Sequence, residues 1–402
     1  MAATMERCQV VIAGAGPVGT VMATLLAKAG IETVVLEAGE DCAQDLRAST
    51  FHPPTLEMLD EIGITDMLLE RGLKAPLYHW RDRRSGEVIE FDLSEIRDVT
   101  RYPFRIQCEQ YHLSRALAAG LEHYPAADIR FSHRLLSFEQ DDAGVTVHVE
   151  TPTEVRHIRA DWLIGADGAN SLVRKWLGIE FDGFTYPERF LCLSTDTELA
   201  DYLPNLAHVN YVSDPEQWLV LLRVPSVWRV LLPTSLDQTD DELRSDETKN
   251  SVFDRLTGDG ASVRTFHRTL YRVHQRVAKS FMDRRVLLIG DAAHLNNPLG
   301  GFGMNSGVHD AFNLFEKLQP AIKAGKPNGS LALFDKQRRE VTHAFTQAQT
   351  IQNMEFIRAG ASAGHEKRRQ DMLTLKADDE RRRAYLLRQA MFESLEQAAA
   401  IN

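Results

Sequence analysis

Three glycines near the start of the chain have the spacing of a phosphate-binding turn. Gly14, Gly16 and Gly19 follow a run of Val and Ile at 9–13. In such a turn the first glycine allows a sharp bend, the second lets the backbone approach a pyrophosphate, and the third lets a helix pack on a strand. Pro17 falls in the first turn of the predicted helix, where a missing N–H costs little. The motif therefore predicts dinucleotide binding.

A carboxylate ends the second predicted strand. Glu37 follows the Val- and Leu-containing run 33–36. An acidic residue at this position accepts hydrogen bonds from a ribose hydroxyl of an adenosine and would repel a 2′-phosphate. Together with the glycines it indicates a dinucleotide site, but it does not separate FAD from NAD.

A second glycine-rich segment makes that distinction. Another buried run, 286–289, is followed by Asp291 and then by a loop that begins at Pro298. FAD needs such a second segment because its ribityl chain and ring system extend beyond the pyrophosphate. We expect Asp291 to bind a ribityl hydroxyl and the small loop residues to let the backbone lie against the flat flavin. The loop residues predicted to bind it are Pro298, Gly300, Gly301, Gly303, Met304 and Asn305.

The elements that must position these residues predict an α/β fold. Short Val-, Ile- and Leu-rich runs have the character of buried parallel strands; they lie at 9–13, 33–36, 162–165 and 286–289. From 181 to 275 shorter alternating stretches predict an antiparallel sheet. The fold class is thus a Rossmann-like FAD-binding domain with a parallel sheet, interwoven with a mainly antiparallel substrate domain and followed by C-terminal helices.

The predicted domain limits follow these changes in pattern. They comprise a discontinuous FAD-binding domain at 1–75, 105–180 and 276–350, a substrate domain at 76–104 and 181–275, and a C-terminal helical segment at 351–402. We interpret the charged C-terminal helices as solvated elements that pack one apolar stripe.

Composition excludes several classes of function. A formal net charge of −11 over 402 residues argues against nucleic-acid binding. Four separated cysteines without a CxxC pattern signal neither a disulfide framework nor a metal site. Glycines interrupt the uncharged stretch 8–27, which argues against a membrane span, and no signal peptide is evident. We expect a cytoplasmic monomer or homodimer.

The order of the motifs resembles the group A FAD-dependent monooxygenases, the family of para-hydroxybenzoate hydroxylase and of phenol and polyketide hydroxylases. The matching segments are GxGxxG at 14–19, Asp167-Gly168 with Ser171 and Arg174, and GDAAH at 290–294 with PxGGxGxN at 298–305. The resemblance implies that Arg47 and Gln110 contact the cofactor and that Asp167 serves both FAD and the nicotinamide cofactor. Asn297 is a departure, because many relatives have proline there.

The resemblance also implies a reaction. NADPH or NADH reduces the flavin, O2 forms a C4a-hydroperoxide, and one oxygen atom passes to an aromatic or polyketide-like substrate. Water must be excluded, so we expect an apolar cover over the flavin. Its candidate residues are Tyr211, Trp218, Val220, Leu222, Trp228 and Val230.

Candidate catalytic residues lie in the same antiparallel region. They are His208, Tyr211 and Arg223, the last as a partner for a substrate carboxylate. His294 is interpreted as a support for the glycine-rich loop that begins at Pro298, which we call the flavin loop. A reductase or halogenase on the same scaffold, a Baeyer–Villiger or epoxidising enzyme, and a non-catalytic FAD-binding sensor remain alternatives.

Overall fold

The protein is built around two large sheets. In this computed structural model, residues 5–44, 48–214, 216–358 and 364–402 are described. The strands are β1 Glu6–Ala13, β2 Thr33–Leu36, β3 Thr50–Phe51, β4 Leu73–Ala75, β5 Leu77–Asp82, β6 Val88–Asp92, β7 Arg105–Gln107, β8 Ala127–Arg130, β9 Arg134–Asp141, β10 Gly144–Glu150, β11 Val155–Gly165, β12 Phe181–Thr195, β13 Val209–Ser213, β14 Leu219–Arg223, β15 Trp228–Pro233, β16 His267–Ala278, β17 Met282–Asp283, β18 Val286–Leu288 and β19 His294–Leu295.

The helices pack around and between these sheets. They are α1 Pro17–Lys28, α2 Pro53–Glu61, α3 Thr65–Arg71, α4 Gln110–Leu121, α5 Leu172–Trp176, α6 Asp240–Arg244, α7 Asp246–Thr257, α8 Phe302–Ala324, α9 Gly329–Val341, α10 Ala348–Arg358, α11 Gly364–Ala377, α12 Asp379–Gln389 and α13 Phe392–Ala400. A π-helical stretch, Thr342–Gln347, joins α9 to α10.

The first sheet confirms the predicted parallel core. Its central order is β18-β11-β1-β2-β8, with all four pairings parallel. Helix α1 contacts both α4 and α8. The buried residues of β1, β2 and β18 are almost wholly apolar, as expected when helices cover both faces of a parallel sheet. The β9–β10 hairpin adds to β11.

The second sheet is the predicted antiparallel one. Its order is β19-β16-β12-β15-β14-β13-β5-β6, and the β13–β5 pairing is parallel. Side chains alternate between its faces. In β14, Leu219 and Leu221 belong to an apolar cluster with Phe253 of α7, whereas Val220 and Leu222 belong to a different cluster on the opposite face.

The C-terminal helices contact the second sheet. Leu386 of α12 lies in an apolar cluster with Tyr78 and Phe91 of β5 and β6. Outside this cluster, Arg382 Nε lies 2.9 Å from Glu95 Oε1, and Arg383 Nη2 lies 2.6 Å from Asp98 Oδ2. These contacts fit a helix with one buried stripe and a charged outer surface. The domain limits given above remain predictions.

Within the described ranges, no helix has both the length and the apolar character needed to cross a bilayer.

Candidate active site

A cavity of about 680 Å³ is lined by residues of both sheets. It brings together twelve of the residues that the sequence predicts for cofactor binding. These are Gly14, Gly16, Pro17, Glu37, Gln110, Asp167, Asp291, Pro298, Gly300, Gly301, Gly303 and Met304. We call this part of the cavity the dinucleotide end. Arg47 lies outside the described residues.

The three glycines of the first turn serve different purposes. Gly14 has φ +103°, and a Cβ there would lie 2.4 Å from the Ala166 carbonyl oxygen. A Cβ on Gly19 would lie 2.1 Å from the Gly14 carbonyl oxygen, and Gly19 does not line the cavity. Around Gly16, in contrast, no atom lies within 4 Å of an added Cβ. Gly14 and Gly19 therefore allow the chain to pack, whereas Gly16 leaves open space for a ligand.

Two carboxylates are held at the cavity wall by backbone N–H groups. Glu37 Oε2 accepts from Ala15 N at 2.8 Å. Asp167 Oδ2 accepts from Leu172 N at 2.7 Å and from Val173 N at 3.1 Å. Asp167 Oδ1 is buried and has no hydrogen-bond partner among the described residues. A buried acceptor left without a partner is costly, so this oxygen fits a site that a polar ligand completes.

The flavin loop is fixed by residues beneath it. Asn305 was predicted to bind the cofactor, but it does not line the cavity. Its Nδ2 donates to Thr50 O at 2.8 Å and to Gly301 O at 2.6 Å, and its Oδ1 accepts from His52 N at 3.0 Å. The amide is thus used within the protein. The structure therefore places this side chain in support of the loop, and the predicted contact of Asn305 with the cofactor stays a prediction.

Two buried histidines also support this region. His52 Nε2 donates to Gly300 O at 2.7 Å, and burial lowers its pKa well below the ordinary value, so the ring is neutral. His294 Nε2 lies 2.7 Å from Asp310 Oδ2, which also accepts from Gly290 N at 3.0 Å. Burial raises the pKa of Asp310, but His294 and Arg338 lower it more, to about 2. Through Asp310, His294 is therefore linked to the turn at Gly290, and its support of the flavin loop stays a prediction.

The other part of the cavity, which we call the substrate end, is formed by the antiparallel sheet. Its lining includes Cys192, Val209, Tyr211, Val220, Leu222, Arg229, Leu231, Tyr271 and Val273. Three of the predicted cover residues, Tyr211, Val220 and Leu222, are among them. The other three are not: Trp218 packs against Phe190 with ring centroids 5.7 Å apart, and Trp228 and Val230 belong to the apolar cluster on the opposite face.

The β14–β15 register decides which charged residue faces the cavity. Leu222 pairs with Arg229, and Arg223 pairs with Trp228. Because directly paired residues share a face, Arg229 joins Leu222 in the cavity. Arg223 lies on the other face, where its Nη2 is 3.5 Å from Glu198 Oε2 and its Cζ is 5.7 Å from the Trp228 ring. The structure therefore does not bring Arg223 to the substrate end.

The two other catalytic candidates differ in their surroundings. His208 is half-buried outside the cavity, with Nδ1 3.1 Å from Lys74 O. Tyr211 lines the cavity and meets Tyr78 edge-on with ring centroids 6.3 Å apart. Burial raises the pKa of Tyr78 and raises that of Tyr385 to about 12. The hydroxyls of Tyr78 and Tyr385 therefore stay protonated at neutral pH.

Two buried arginines, Arg229 and Arg105, line the cavity and were not predicted from the sequence. Arg229 is 3% exposed, and its Nε, Nη1 and Nη2 have no hydrogen-bond partner among the described residues. Its nearest carboxylate oxygen, Glu109 Oε1, is 3.8 Å away. Arg105 lies over the Tyr78 ring at 4.4 Å, and its Nε and Nη1 are likewise unpartnered within the described chain. A buried cation without good partners is expensive, so this wall is suited to an anion.

Comparisons with known proteins identify the family to which the chain belongs. A family model described as "FAD binding domain" matches residues 7–349. Para-nitrophenol 4-monooxygenase of Pseudomonas sp. (strain WBC-3) is 35% identical over 354 residues, which are 87% of each chain. 6-Hydroxy-3-succinoylpyridine 3-monooxygenase HspB of Pseudomonas putida is 35% identical over 82% of this chain and 84% of that protein.

This chain belongs to the group A FAD-dependent aromatic hydroxylases. Among solved structures, p-nitrophenol 4-monooxygenase PnpA from Pseudomonas putida DLL-E4 has a TM-score of 0.91 at 32% identity, covering 97% of this chain and 99% of that one. The monooxygenase PieE, solved with FAD and substrate, has a TM-score of 0.81 at 25% identity, covering 99% and 74%. The predicted family, fold class, FAD cofactor and monooxygenase activity are thereby confirmed.

Proposed function

We propose that this monooxygenase hydroxylates a small phenol that binds as its phenolate, with NADPH or NADH as the electron donor. The observation that carries the proposal is Arg229, a buried guanidinium that faces the apolar end of the cavity without a hydrogen-bond partner among the described residues. The relatives named above add support, since one is named for a nitrophenol and another for a hydroxypyridine.

The dinucleotide end has the groups that FAD requires. The open space at Gly16 and the first N–H groups of α1 suit the pyrophosphate. Glu37 suits a ribose and Asp291 the ribityl chain, while Gly300 and Gly301 let the backbone approach the flat ring. The chemistry supplied by FAD when bound is two-electron uptake from NAD(P)H and activation of O2, with one oxygen atom entering the substrate and the other leaving as water.

The residues of the substrate end then have two tasks. Arg229 holds the phenolate oxygen and favours the ionised form, which makes the ring more electron-rich. Val220, Leu222 and Leu231 exclude water from the reacting ring. The hydroxyl of Tyr211 can donate a hydrogen bond to the same phenolate, which is the role that remains for it among the predicted catalytic residues.

Matched substrates test this proposal. The FAD-loaded protein is given NADH or NADPH with p-nitrophenol or with p-nitroanisole, which has the same ring but no ionisable hydroxyl. We expect substrate-stimulated oxidation of the nucleotide and oxygen incorporation with the phenol, at least about tenfold above the ether. Equal turnover of the two compounds would overturn the role of Arg229, and no oxygenated product from any phenol would overturn the proposed substrate class.

A further inference from the structure

Helices α9 and α10 run on from one another through an irregular turn beside the flavin loop. Residues 342–347 form a π-helical stretch between α9 and α10. Such stretches are rare in proteins, and those that occur often lie at functional sites. At its end, the carbonyl oxygen of Gln347 accepts from two side chains, Thr350 Oγ1 at 3.2 Å and Gln275 Nε2 at 3.3 Å. The second of these donors comes from β16 of the antiparallel sheet.

Three residues, spaced by three along this helix, bond alternate residues of the loop 295–300, two of them through their side chains and one through its backbone carbonyl. Gln347 Nε2 donates to Leu295 O at 2.8 Å, and Asn353 Nδ2 donates to Leu299 O at 3.3 Å. Between these two contacts, the Thr350 carbonyl oxygen accepts from Asn297 Nδ2 at 2.8 Å. We call Gln347, Thr350 and Asn353 the helix clasp.

Gln275 joins the clasp to the antiparallel sheet. Its Oε1 accepts from Asn297 N at 2.9 Å, and its Nε2 donates to Thr350 Oγ1 at 2.6 Å. Gln275, Asn297 and Thr350 are at most 1% exposed. A proline at 297 would have no N–H for Gln275, so the departure noted in the sequence forms part of this network. Because every buried group in it has a partner, a shift of one element disturbs the others.

The loop held in this way forms one wall of the cavity. Leu295, Asn296, Pro298, Leu299 and Gly300 all line it. The fit is close, since a Cβ on Gly300 would lie 3.1 Å from Asn353 Nδ2. The helix thus bonds the carbonyl oxygens of Leu295 and Leu299, two residues of this cavity wall. The position of the helix therefore sets how far the loop reaches into the cavity.

The clasp is also linked to the end of the chain. Asn353 Oδ1 accepts from Gln349 Nε2 at 2.9 Å and from Gln389 Nε2 at 3.5 Å. Gln349 Oε1 in turn accepts from Arg388 Nε. Side chains of α12 thus contact the same helix.

We propose that Gln347, Thr350 and Asn353 are positioning residues that hold the loop 295–300 against the flavin, so that the C-terminal helices determine how well the reaction is shielded from water. The proposal rests on the function proposed above. Its direct consequence is that loosening the clasp lowers the yield of hydroxylated product per nucleotide oxidised. The O2 that is reduced without hydroxylating the substrate is then released as H2O2.

A matched pair of glutamines tests the clasp. Gln347 and Gln337 are 8% and 6% exposed, and each donates Nε2 to a backbone carbonyl at 2.8 Å, Leu295 O and Ile401 O respectively. We expect Gln347→Leu to lower the ratio of product to oxidised nucleotide about threefold or more, because small misplacements strongly affect a reacting geometry. Gln337→Leu should destabilise the protein similarly, as measured by thermal unfolding, and leave this ratio unchanged.

A second variant and a second readout keep the test independent of turnover. Thr350→Val keeps the carbonyl that accepts from Asn297 but removes the hydroxyl that accepts from Gln275. It should therefore loosen the Gln275 link, uncouple the reaction and expose the bound flavin to fluorescence quenching by iodide, whereas Thr350→Ser should restore both readouts. Unchanged coupling and quenching in a folded, FAD-loaded Gln347→Leu or Thr350→Val protein would overturn the proposal, as would equal uncoupling by Gln337→Leu. If the wild-type protein hydroxylates no phenol, the proposed substrate class fails while iodide quenching still tests the clasp.

Discussion

The dinucleotide end and the substrate end of the cavity are built from different parts of the chain. The first uses backbone: turns at Gly14 and Gly300, N–H groups at a helix start, and carboxylates that follow strands. The second uses side chains from β12 to β16, whose orientation depends on how neighbouring strands pair. Local sequence spacing determines the first end, whereas long-range register determines the second.

This difference has a consequence for evolution and for engineering. A backbone site tolerates few substitutions, because a side chain would occupy the position of the main chain or of the ligand. A sheet face can exchange one side chain for another with the same pairing. We therefore expect changes at the dinucleotide end to abolish the protein's function as a whole, and changes at the substrate end to alter which ring is accepted.

The largest expected effect separates two glycines of one turn. Gly14→Ala forces a Cβ to within 2.4 Å of Ala166 O at φ +103°, so we expect a loss of about 3 kcal/mol or more in the free energy of unfolding. Gly16→Ala places its Cβ in open space and should leave the apoprotein's stability unchanged while weakening FAD about tenfold or more. Denaturant unfolding and FAD titration measure the two quantities. An unstable Gly16→Ala apoprotein would contradict this division of roles.

The next effect concerns the substrate end. Arg229→Gln should weaken the binding of a phenolate by about 2 to 5 kcal/mol, the usual loss when one partner of a buried charge pair is removed. Binding of the corresponding methyl ether should change little. Perturbation of the oxidised flavin spectrum gives both dissociation constants, and Arg229→Lys, which keeps the charge, should recover part of the loss. Equal weakening of both ligands would mean that Arg229 shapes the wall without binding the anion.

The same contrast explains what could be predicted from the sequence. The glycine turns, Glu37 and Asp291 follow strands at fixed spacing, so their meeting at one cavity could be expected from the motifs. Arg223 and Arg229 stand in equally apolar surroundings in the sequence, and only the pairing of Leu222 with Arg229 distinguishes them. A charged residue within an apolar strand was a visible signal, but the face on which it lies was not.

Asn305 and the helix clasp illustrate a second limit. The loop motif identifies Asn305, but its amide bonds Thr50 O, which is 255 residues away in the chain. Nothing in the sequence around Gln347, Thr350 and Asn353 indicates a contact with the loop. Their role depends on a π-helical turn and on a loop some 50 residues earlier. Such contacts come from tertiary packing, for which a local pattern has no signal.

A smaller effect is expected from pH, again at the dinucleotide end. Burial lowers the pKa of His309 to about 3 and that of His52 well below its ordinary value. The unfolded chain therefore binds more protons than the folded one as the pH falls below about 6.5, the ordinary histidine value, and the folded state loses up to about 1.4 kcal/mol per pH unit for each histidine. Urea unfolding between pH 7 and pH 5 measures this slope.

A variant assigns part of that slope to one ring. His309 Nε2 lies 3.1 Å from Thr55 Oγ1, a contact that the amide of His309→Gln can replace. In this variant the free energy of unfolding should depend less steeply on pH, by about the slope that one histidine contributes. Arg229→Gln should keep the wild-type slope. Equal slopes in wild type and His309→Gln would show that His309 does not contribute to the acid sensitivity.

The smallest effect provides the sharpest check on strand register. Arg223→Gln removes a partly exposed ion pair with Glu198, at 3.5 Å, on the face away from the cavity. Such pairs contribute about 1 kcal/mol or less, so we expect near-wild-type stability and a KM for the phenol within about twofold of wild type. If Arg223→Gln raised KM as strongly as Arg229→Gln, the two residues would have to share a face. That outcome is incompatible with the pairing of Leu222 with Arg229, and it would reopen the assignment of the whole substrate end.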